Sequence, residues 1–249
     1  MKFDTININQ IYHTSHCGST LMAALLSNSS IVYSEPPWTK NLLLNEDLDF
    51  NLLKDLYNIV IKFGSGWCKY SNIVPGKKIF LYRKLKHHMF KIKTTQYIND
   101  IVTEKYENHL KNCHPSLKGF EFETDFEKIA FMWLNNVQWI REVDDVLWIE
   151  TNDFLKNKKQ TMNLVCDHFQ IDKIKNYELS TIHVKTALHL NGRDTSINET
   201  PFPISGMNKT LYSSFGVIDD DLCDQYPEIE DLICQVKEEF VDIDENILK

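Results

Sequence analysis

Short runs of strand-forming apolar residues alternate along this chain with longer stretches in which apolar residues recur at helical spacing. Strands are predicted around residues 8–12 and over 31–33, 58–63, 78–82 and 146–149. Amphipathic helices are predicted over 21–26, 42–56, 123–142 and 154–169, with a further helix after Arg83. Strands that alternate with helices favour a parallel sheet, so we predict an α/β fold, a three-layer sandwich with a central parallel sheet.

The first strand ends in a short loop of small and hydroxyl residues around Gly18, and the next helix begins directly after it. Backbone N–H groups at a helix start have no partner within the helix, and the helix dipole adds positive character there. This turn is therefore a candidate anion site, with phosphate as the usual ligand. An ordinary strand-to-helix turn, in which Ser19 or Thr20 only caps the helix, is also compatible with the loop alone.

The loop departs from the phosphate loop of nucleotide triphosphatases, which has the pattern G-x-x-x-x-G-K-[ST]. If Gly18 is the second glycine, the first falls at His13 and the lysine falls at Ser19. Without this lysine the sequence gives no reason to expect hydrolysis of nucleotide triphosphates. The hydroxyl pair of Ser19 and Thr20 suits a phosphate that carries no bound Mg²⁺ ion.

Charged residues follow the other predicted strands of the first half of the chain. Glu35 follows the second strand, Lys62 ends the third and Arg83 follows the fourth. Because ligands of parallel sheets bind at the carboxyl ends of the strands, we expect these residues and the loop at one edge. Lys62 either reaches a bound anion there or extends from the sheet edge to solvent.

Charge is unevenly distributed along the chain. The net charge is −8, the C-terminal part is acidic, and the segment 77–93 is basic. The overall charge argues against nucleic acid as a partner. The basic segment indicates either a bound polyanionic small molecule or a solvated helix face, and His87 and His88 are expected on such a face.

The 249 residues are 43% apolar and 25% charged, which is typical of a soluble globular protein, and we predict a single domain over 1–249. The six cysteines include no C-x-x-C pair, so no metal site is expected. No secretory or membrane-spanning run is found, which favours a cytoplasmic protein without a membrane partner. The irregular stretch 183–217 is expected to lie over the site.

Residues 15–22, Ser-His-Cys-Gly-Ser-Thr-Leu-Met, followed by Ser-Glu-Pro at 34–36, resemble the start of the sulfotransferases that use 3′-phosphoadenosine 5′-phosphosulfate (PAPS). The resemblance extends from residue 8 to about residue 170, and a bacterial-type branch of the family is similar to this version of the loop. It implies a P-loop nucleotide-hydrolase-like fold, PAPS as co-substrate, no metal, and a small-molecule or carbohydrate acceptor. The donor-binding residues that it implies are Ser15, Cys17, Gly18, Ser19, Thr20, Arg83 and Lys91.

The resemblance also implies how the donor is held. The loop binds the 5′-phosphosulfate end, where the hydroxyls of Ser19 and Thr20 donate to the phosphate. Arg83 matches the family's arginine, which binds the 3′-phosphate together with a serine eight residues later. This chain has Lys91 at the serine position, and the pair at 94–95 lies one turn further as an alternative.

Sulfuryl transfer requires a general base that takes the proton of the acceptor hydroxyl. Glu35 occupies the place of this base in some branches of the family, and its alternative is a surface glutamate before a proline turn. His16 stands where many members have lysine or arginine, and it either contacts the transferring group or only orders the turn. Cys17 is favoured as a packing residue over a nucleophile, because the sequence fixes no basic partner for it.

Two other functions stay open beside a PAPS-dependent sulfotransferase. A nucleotide-dependent phosphotransferase would share the strand–loop–helix, but it needs a loop lysine and a carboxylate that holds Mg²⁺. A non-catalytic nucleotide-binding protein with this fold would explain the departures at His16 and Lys91. We expect the enzyme, with in-line transfer and Glu35 as the base.

Overall fold

The computed structural model describes residues 8–34, 59–95, 101–120, 122–177, 185–186, 216–239 and 248. A six-stranded parallel sheet with the order β5-β4-β1-β3-β2-β6 lies at its centre. The strands are β1 (Asn9–His13), β2 (Ile31–Ser34), β3 (Ile59–Lys62), β4 (Lys78–Tyr82), β5 (Val146–Glu150) and β6 (Lys185–Thr186). The predicted strands are therefore confirmed, and β6 is an addition that the sequence pattern did not indicate.

Helices connect and cover these strands. They are α1 (Ser19–Leu26), α2 (Leu85–Thr95), α3 (Ile101–Lys111), α4 (Asp125–Arg141), α5 (Thr151–Lys156), α6 (Lys158–Phe169), α7 (Asp220–Cys223) and α8 (Pro227–Glu239), with 3₁₀ turns at Cys68–Tyr70 and Pro115–Leu117. A capping box between Thr124 and Glu127 begins α4. The single helix predicted over 154–169 is instead two helices, because the backbone of Asn157 leaves the helical region at φ −120° and ψ 41°.

The sheet is covered on both faces, because successive side chains of a strand point to opposite sides. In β1, Tyr12 packs into the cluster formed with α2, α4 and α8, whereas Ile11 packs into the cluster formed with α1 and α6. The apolar run of β4 divides in the same way between Phe80 and Ile79. The predicted three-layer α/β sandwich is confirmed.

The strand order places the carboxyl end of β1 at a switch point. The chain runs from β1 to β2 and β3 on one side of β1, and it then crosses to β4 and β5 on the other side. In open parallel sheets a crevice forms where the strand order reverses in this way, and ligands bind there. The loop at 14–18 leaves β1 at this point.

The acidic C-terminal part lies against the basic helix α2. Three ion pairs join them: Lys86 Nζ to Asp224 Oδ1 at 2.5 Å, His87 Nε2 to Asp220 Oδ1 at 2.8 Å, and Lys93 Nζ to Glu228 Oε1 at 2.9 Å. The expectation that His87 and His88 lie on a solvated face is wrong, since each is only 3% exposed. Part of the basic segment therefore forms ion pairs with acidic residues of the same chain.

Several predictions fall outside the described residues. These are the helix predicted over 42–56, the position of Glu35, and the stretch 183–217 apart from β6 and residues 216–217. The single domain over 1–249 stays a prediction. Within the described residues, no helix combines the length and apolar character that crossing a membrane would require.

Candidate functional site

The loop between β1 and α1 contains two residues with positive φ, which is a feature of anion-binding nests, the concavities formed by successive N–H groups. His16 has φ 58° and Gly18 has φ 85°. Ser15, which precedes His16, and Cys17, which lies between the two, do not have positive φ. Such alternation turns neighbouring amides towards one point. Glycine adopts this left-handed conformation without steric cost, which accounts for Gly18 at the end of the loop.

Two buried side chains hold successive carbonyls of the loop. Arg83 Nε donates to the carbonyl of His16 at 3.3 Å, and Thr151 Oγ1 donates to the carbonyl of Cys17 at 2.9 Å. Because the N–H of a trans peptide points opposite to its C=O, the amides of Cys17 and Gly18 face away from these donors. Within the described part of the chain, neither amide donates to another backbone group.

The first turn of α1 continues this arrangement. Gly18 is the residue before the helix, and no described side chain caps the helix there. The Ser19 side chain is buried, while Ser15, His16 and Thr20 are partly exposed. The amides of the loop and the uncapped start of α1 lie next to each other, and this arrangement makes the loop a candidate anion site.

Arg83 is fully buried directly behind the loop. Its Nη1 lies 3.5 Å from Asn152 Oδ1, and the indole Nε1 of Trp133 donates to its carbonyl at 2.8 Å. Its Nη2 is buried and has no hydrogen-bond partner among the described residues. Burial lowers the pKa of Arg83, but a guanidinium stays protonated in proteins. The site thus contains a fixed positive charge with one donor left over.

Further basic groups surround Arg83. Burial lowers the pKa of Lys91, and the charge of the nearby Arg83 acts in the same direction. Lys62 at the end of β3 is only 2% exposed and lies close enough to Cys17 for their charges to interact. This burial excludes the alternative that Lys62 extends to solvent. Arg83 therefore lies beside the predicted loop, and Lys91, on α2, is near enough to Arg83 for their charges to interact.

One carboxylate of this edge belongs to Glu150, the last residue of β5. Its Oε2 accepts the N–H of Asp153 at 3.0 Å, while its buried Oε1 has no partner among the described residues. Burial raises the pKa of Glu150, and the charge of Arg83 opposes this rise. Glu150 therefore caps the N-terminus of α5, and its carboxylate offsets only part of the positive charge of Arg83.

The thiol of Cys17 is fully buried, and burial raises its pKa to about 11. A hydrogen bond with the Ser19 amide and the charges of Arg83 and Lys62 only partly oppose this effect. Because the thiolate is the reactive form, a thiol that stays protonated at neutral pH is a poor nucleophile. The interpretation of Cys17 as a packing residue is the one that fits.

For two other residues of the predicted site, the described structure gives no contact with the loop or with Arg83. The hydroxyl of Thr94 donates to the carbonyl of Phe90 in its own helix at 2.9 Å. Glu35 follows β2 but lies outside the described residues. The described residues contain no group of three or more His, Cys, Asp or Glu side chains that could hold a metal ion.

The sequence analysis did not place Thr151 or Asn152 at the site. Thr151 holds the loop, and Asn152 pairs with the backbone of Ile218, donating to its carbonyl at 2.7 Å and accepting its N–H at 3.1 Å. Their position directly after β5 was the available signal, because every strand of this sheet ends at the site edge.

His88 makes the stability of the protein dependent on pH. The pKa of His88 is lowered from 6.5 to about 3, mainly by burial and also by the charges of His16 and Arg83, whereas a hydrogen bond with the Ser15 backbone opposes the shift. The unfolded chain binds a proton at the ordinary pKa, so protonation favours unfolding. We expect the contribution of His88 to be complete above pH 6.5 and to be lost progressively as the pH falls towards 3.

Urea unfolding of the wild type and His88→Gln at pH 7 and pH 5 tests this expectation. From pH 7 to pH 5, the free energy of unfolding should fall by about 2 kcal/mol more in the wild type than in the variant. His87→Gln is the matched control, since the pKa of His87 is also lowered by burial but the bond to Asp220 opposes the shift. An equal fall in the free energy of unfolding in the wild type and in His88→Gln would contradict the lowered pKa of His88.

The chain matches no family model and no curated protein. Among solved structures it is similar to a sulfotransferase domain from the curacin biosynthetic pathway, with 13% sequence identity and a TM-score of 0.46. The likeness covers 93% of this chain and 98% of that domain. At this identity and TM-score, the likeness gives no information on activity or ligand.

Proposed function

We propose that this protein is a PAPS-dependent sulfotransferase that transfers a sulfuryl group to a hydroxyl of a small molecule or carbohydrate. The observation that carries the proposal is the loop at 15–18, which has positive φ at His16 and Gly18 and whose His16 carbonyl is held by the buried Arg83. A second support is the sequence of the loop itself, which resembles that family. The loop itself lacks the lysine of a triphosphatase phosphate loop, because Ser19 stands at that position.

The described residues fit an anionic donor. The unpartnered Nη2 of Arg83 is a buried charged donor, and such a group is costly unless an acceptor completes it. Phosphate oxygens are suitable acceptors, because guanidinium–phosphate bonds are charge-assisted. We assign the 3′-phosphate to Arg83 and Lys91, and the 5′-phosphosulfate end to the loop amides with Ser19 and Thr20.

In the proposed reaction, the acceptor oxygen forms a bond to sulfur while the bond from sulfur to the 5′-phosphate oxygen breaks. The proton of the acceptor hydroxyl goes to Glu35, which in the sequence directly follows Ser34, the last residue of β2. The negative charge that develops on the leaving phosphate is stabilised by amides already oriented before the reaction. His16 is assigned to the sulfuryl oxygens or to the bridging oxygen.

Thermal unfolding with adenosine 3′,5′-bisphosphate, the product of the donor, tests the binding part of the proposal. At about 100 times its Kd it should stabilise the protein by about 2.7 kcal/mol, which is roughly 5–10 °C in Tm for a chain of this length. Adenosine 5′-monophosphate is the matched control, because it lacks the 3′-phosphate, and it should give a clearly smaller shift.

Other outcomes of the same experiment separate the alternatives. A larger shift with ATP and Mg²⁺ than with the bisphosphate would favour a phosphotransferase. Absence of any shift with the bisphosphate would refute PAPS as the donor. Binding of the bisphosphate without transfer of ³⁵S-labelled sulfate to a panel of phenolic, aliphatic and sugar hydroxyls would favour a non-catalytic binding protein.

A further inference from the structure

We propose that Thr151 is a positioning residue of the anion site, whose hydroxyl orients the peptide between Cys17 and Gly18 so that the Gly18 amide faces the ligand. This inference rests on the proposed function, since the direction of that amide matters only if the loop binds an anion. Thr151 does not itself contact the ligand in this account.

The hydroxyl of Thr151 joins three strand ends. Thr151 follows β5 directly and is fully buried. Its Oγ1 lies 2.9 Å from the carbonyl oxygen of Cys17 and 2.8 Å from that of Tyr82, the last residue of β4. A hydroxyl has one proton, so the two carbonyls share this donor. The loop after β1 is thereby fixed to the ends of β4 and β5.

The peptide that Thr151 holds is also the one with the greatest freedom to rotate. Gly18 has no Cβ, and both positive and negative φ are accessible to it. Without the hydroxyl, the buried carbonyl of Cys17 would lose this donor, and an unsatisfied buried carbonyl is costly. Rotation of the peptide would let this carbonyl find another donor, and it would turn the Gly18 amide away from the ligand.

Arg83 gives the same restraint to the preceding peptide, because its Nε holds the carbonyl of His16 at 3.3 Å. Two successive peptides are therefore fixed from the same side. Their amides, from Cys17 and Gly18, both face away from Arg83 and Thr151. Of the two side chains that hold these peptides, Thr151 is the uncharged one. Removal of its hydroxyl therefore changes the loop without changing the charge of the site.

Substitutions of nearly constant volume separate this role from simple packing. Thr151→Val removes the hydroxyl and retains the shape, whereas Thr151→Ser retains the hydroxyl. Thr161→Val is the matched control, because Thr161 is a buried threonine on α6, in another part of the fold. The measurements are the Kd for adenosine 3′,5′-bisphosphate by calorimetry and amide hydrogen exchange of residues 15–22 without ligand.

We expect Thr151→Val to weaken binding by about tenfold and to accelerate exchange of the Met22 amide, which donates to the carbonyl of Gly18 at 3.0 Å. Thr151→Ser should restore both properties to within about threefold of the wild type, and Thr161→Val should leave both unchanged. If Thr151→Val does not fold, Thr151→Cys replaces it with the same criteria, since a thiol is only a weak donor.

Unchanged loop exchange in Thr151→Val would overturn the inference, whatever the ligand. An equal loss of affinity in Thr161→Val would also overturn it, because general destabilisation would then explain the effect. If the wild-type protein does not bind the bisphosphate, the proposed function fails, while the exchange comparison still decides whether Thr151 orients the loop.

Discussion

Replacement of Arg83 by methionine is expected to weaken binding of adenosine 3′,5′-bisphosphate by about 10- to 100-fold, while the ligand-free protein keeps its stability or gains some. Hydrogen bonds from a charged donor contribute about 1.5–3 kcal/mol, which gives the range in affinity. The guanidinium of Arg83 is fully buried, and no described carboxylate forms a salt bridge with it. A buried charge without an ion-pair partner is costly, and we expect removal of this cost to offset the loss of the bonds from Arg83 to the His16 carbonyl and to Asn152.

Calorimetric titration and urea unfolding of the same preparations test the two halves of this expectation. Arg141→Met is the matched control, because Arg141 is exposed at the end of α4. Wild-type affinity in Arg83→Met would remove Arg83 from the ligand site. A large loss of stability together with unchanged affinity would assign Arg83 to the structure of the loop alone.

Replacement of Glu35 by glutamine should lower the turnover number by about 10²- to 10⁴-fold, the usual contribution of a general base. Binding of the bisphosphate should be unchanged, because the substitution removes a proton acceptor and not a donor to phosphate. Turnover is measured by transfer of ³⁵S-labelled sulfate to the best acceptor of the hydroxyl panel. Glu107→Gln, an exposed position on α3, provides the control.

The two measurements on Glu35→Gln distinguish its roles. Turnover equal to that of the wild type would exclude Glu35 as the base. A parallel loss of bisphosphate binding would instead mean that Glu35 supports the donor site, and another residue would have to accept the proton.

The strands were predictable because a parallel sheet buries both of its faces. The run at 78–82 is apolar for this reason, and it divides between two cores. The order of the strands was not predictable, since it depends on pairings between segments far apart in the chain. The break at Asn157 was missed because the apolar spacing continues across it from α5 to α6.

The sequence predicted which residues of the candidate site lie at strand ends. It did not predict the directions of their side chains. The position of Arg83 after β4 follows from the sequence, but its turn beneath the loop depends on packing against Trp133 and Asn152. His87 was assigned to solvent because lysines surround it. Its partner, Asp220, lies 133 residues further along the chain, beyond the reach of any local pattern.

The indole of Trp133 is a fluorophore attached to the candidate site. It is almost fully buried, and its Nε1 donates to the carbonyl of Arg83 at 2.8 Å. Indole emission depends on the hydrogen bonding and polarity around the ring, so a displacement of the Arg83 peptide alters its spectrum. A ligand that displaces the Arg83 peptide would therefore change the emission of the unlabelled protein, and Trp133→Phe identifies this signal among those of the other tryptophans.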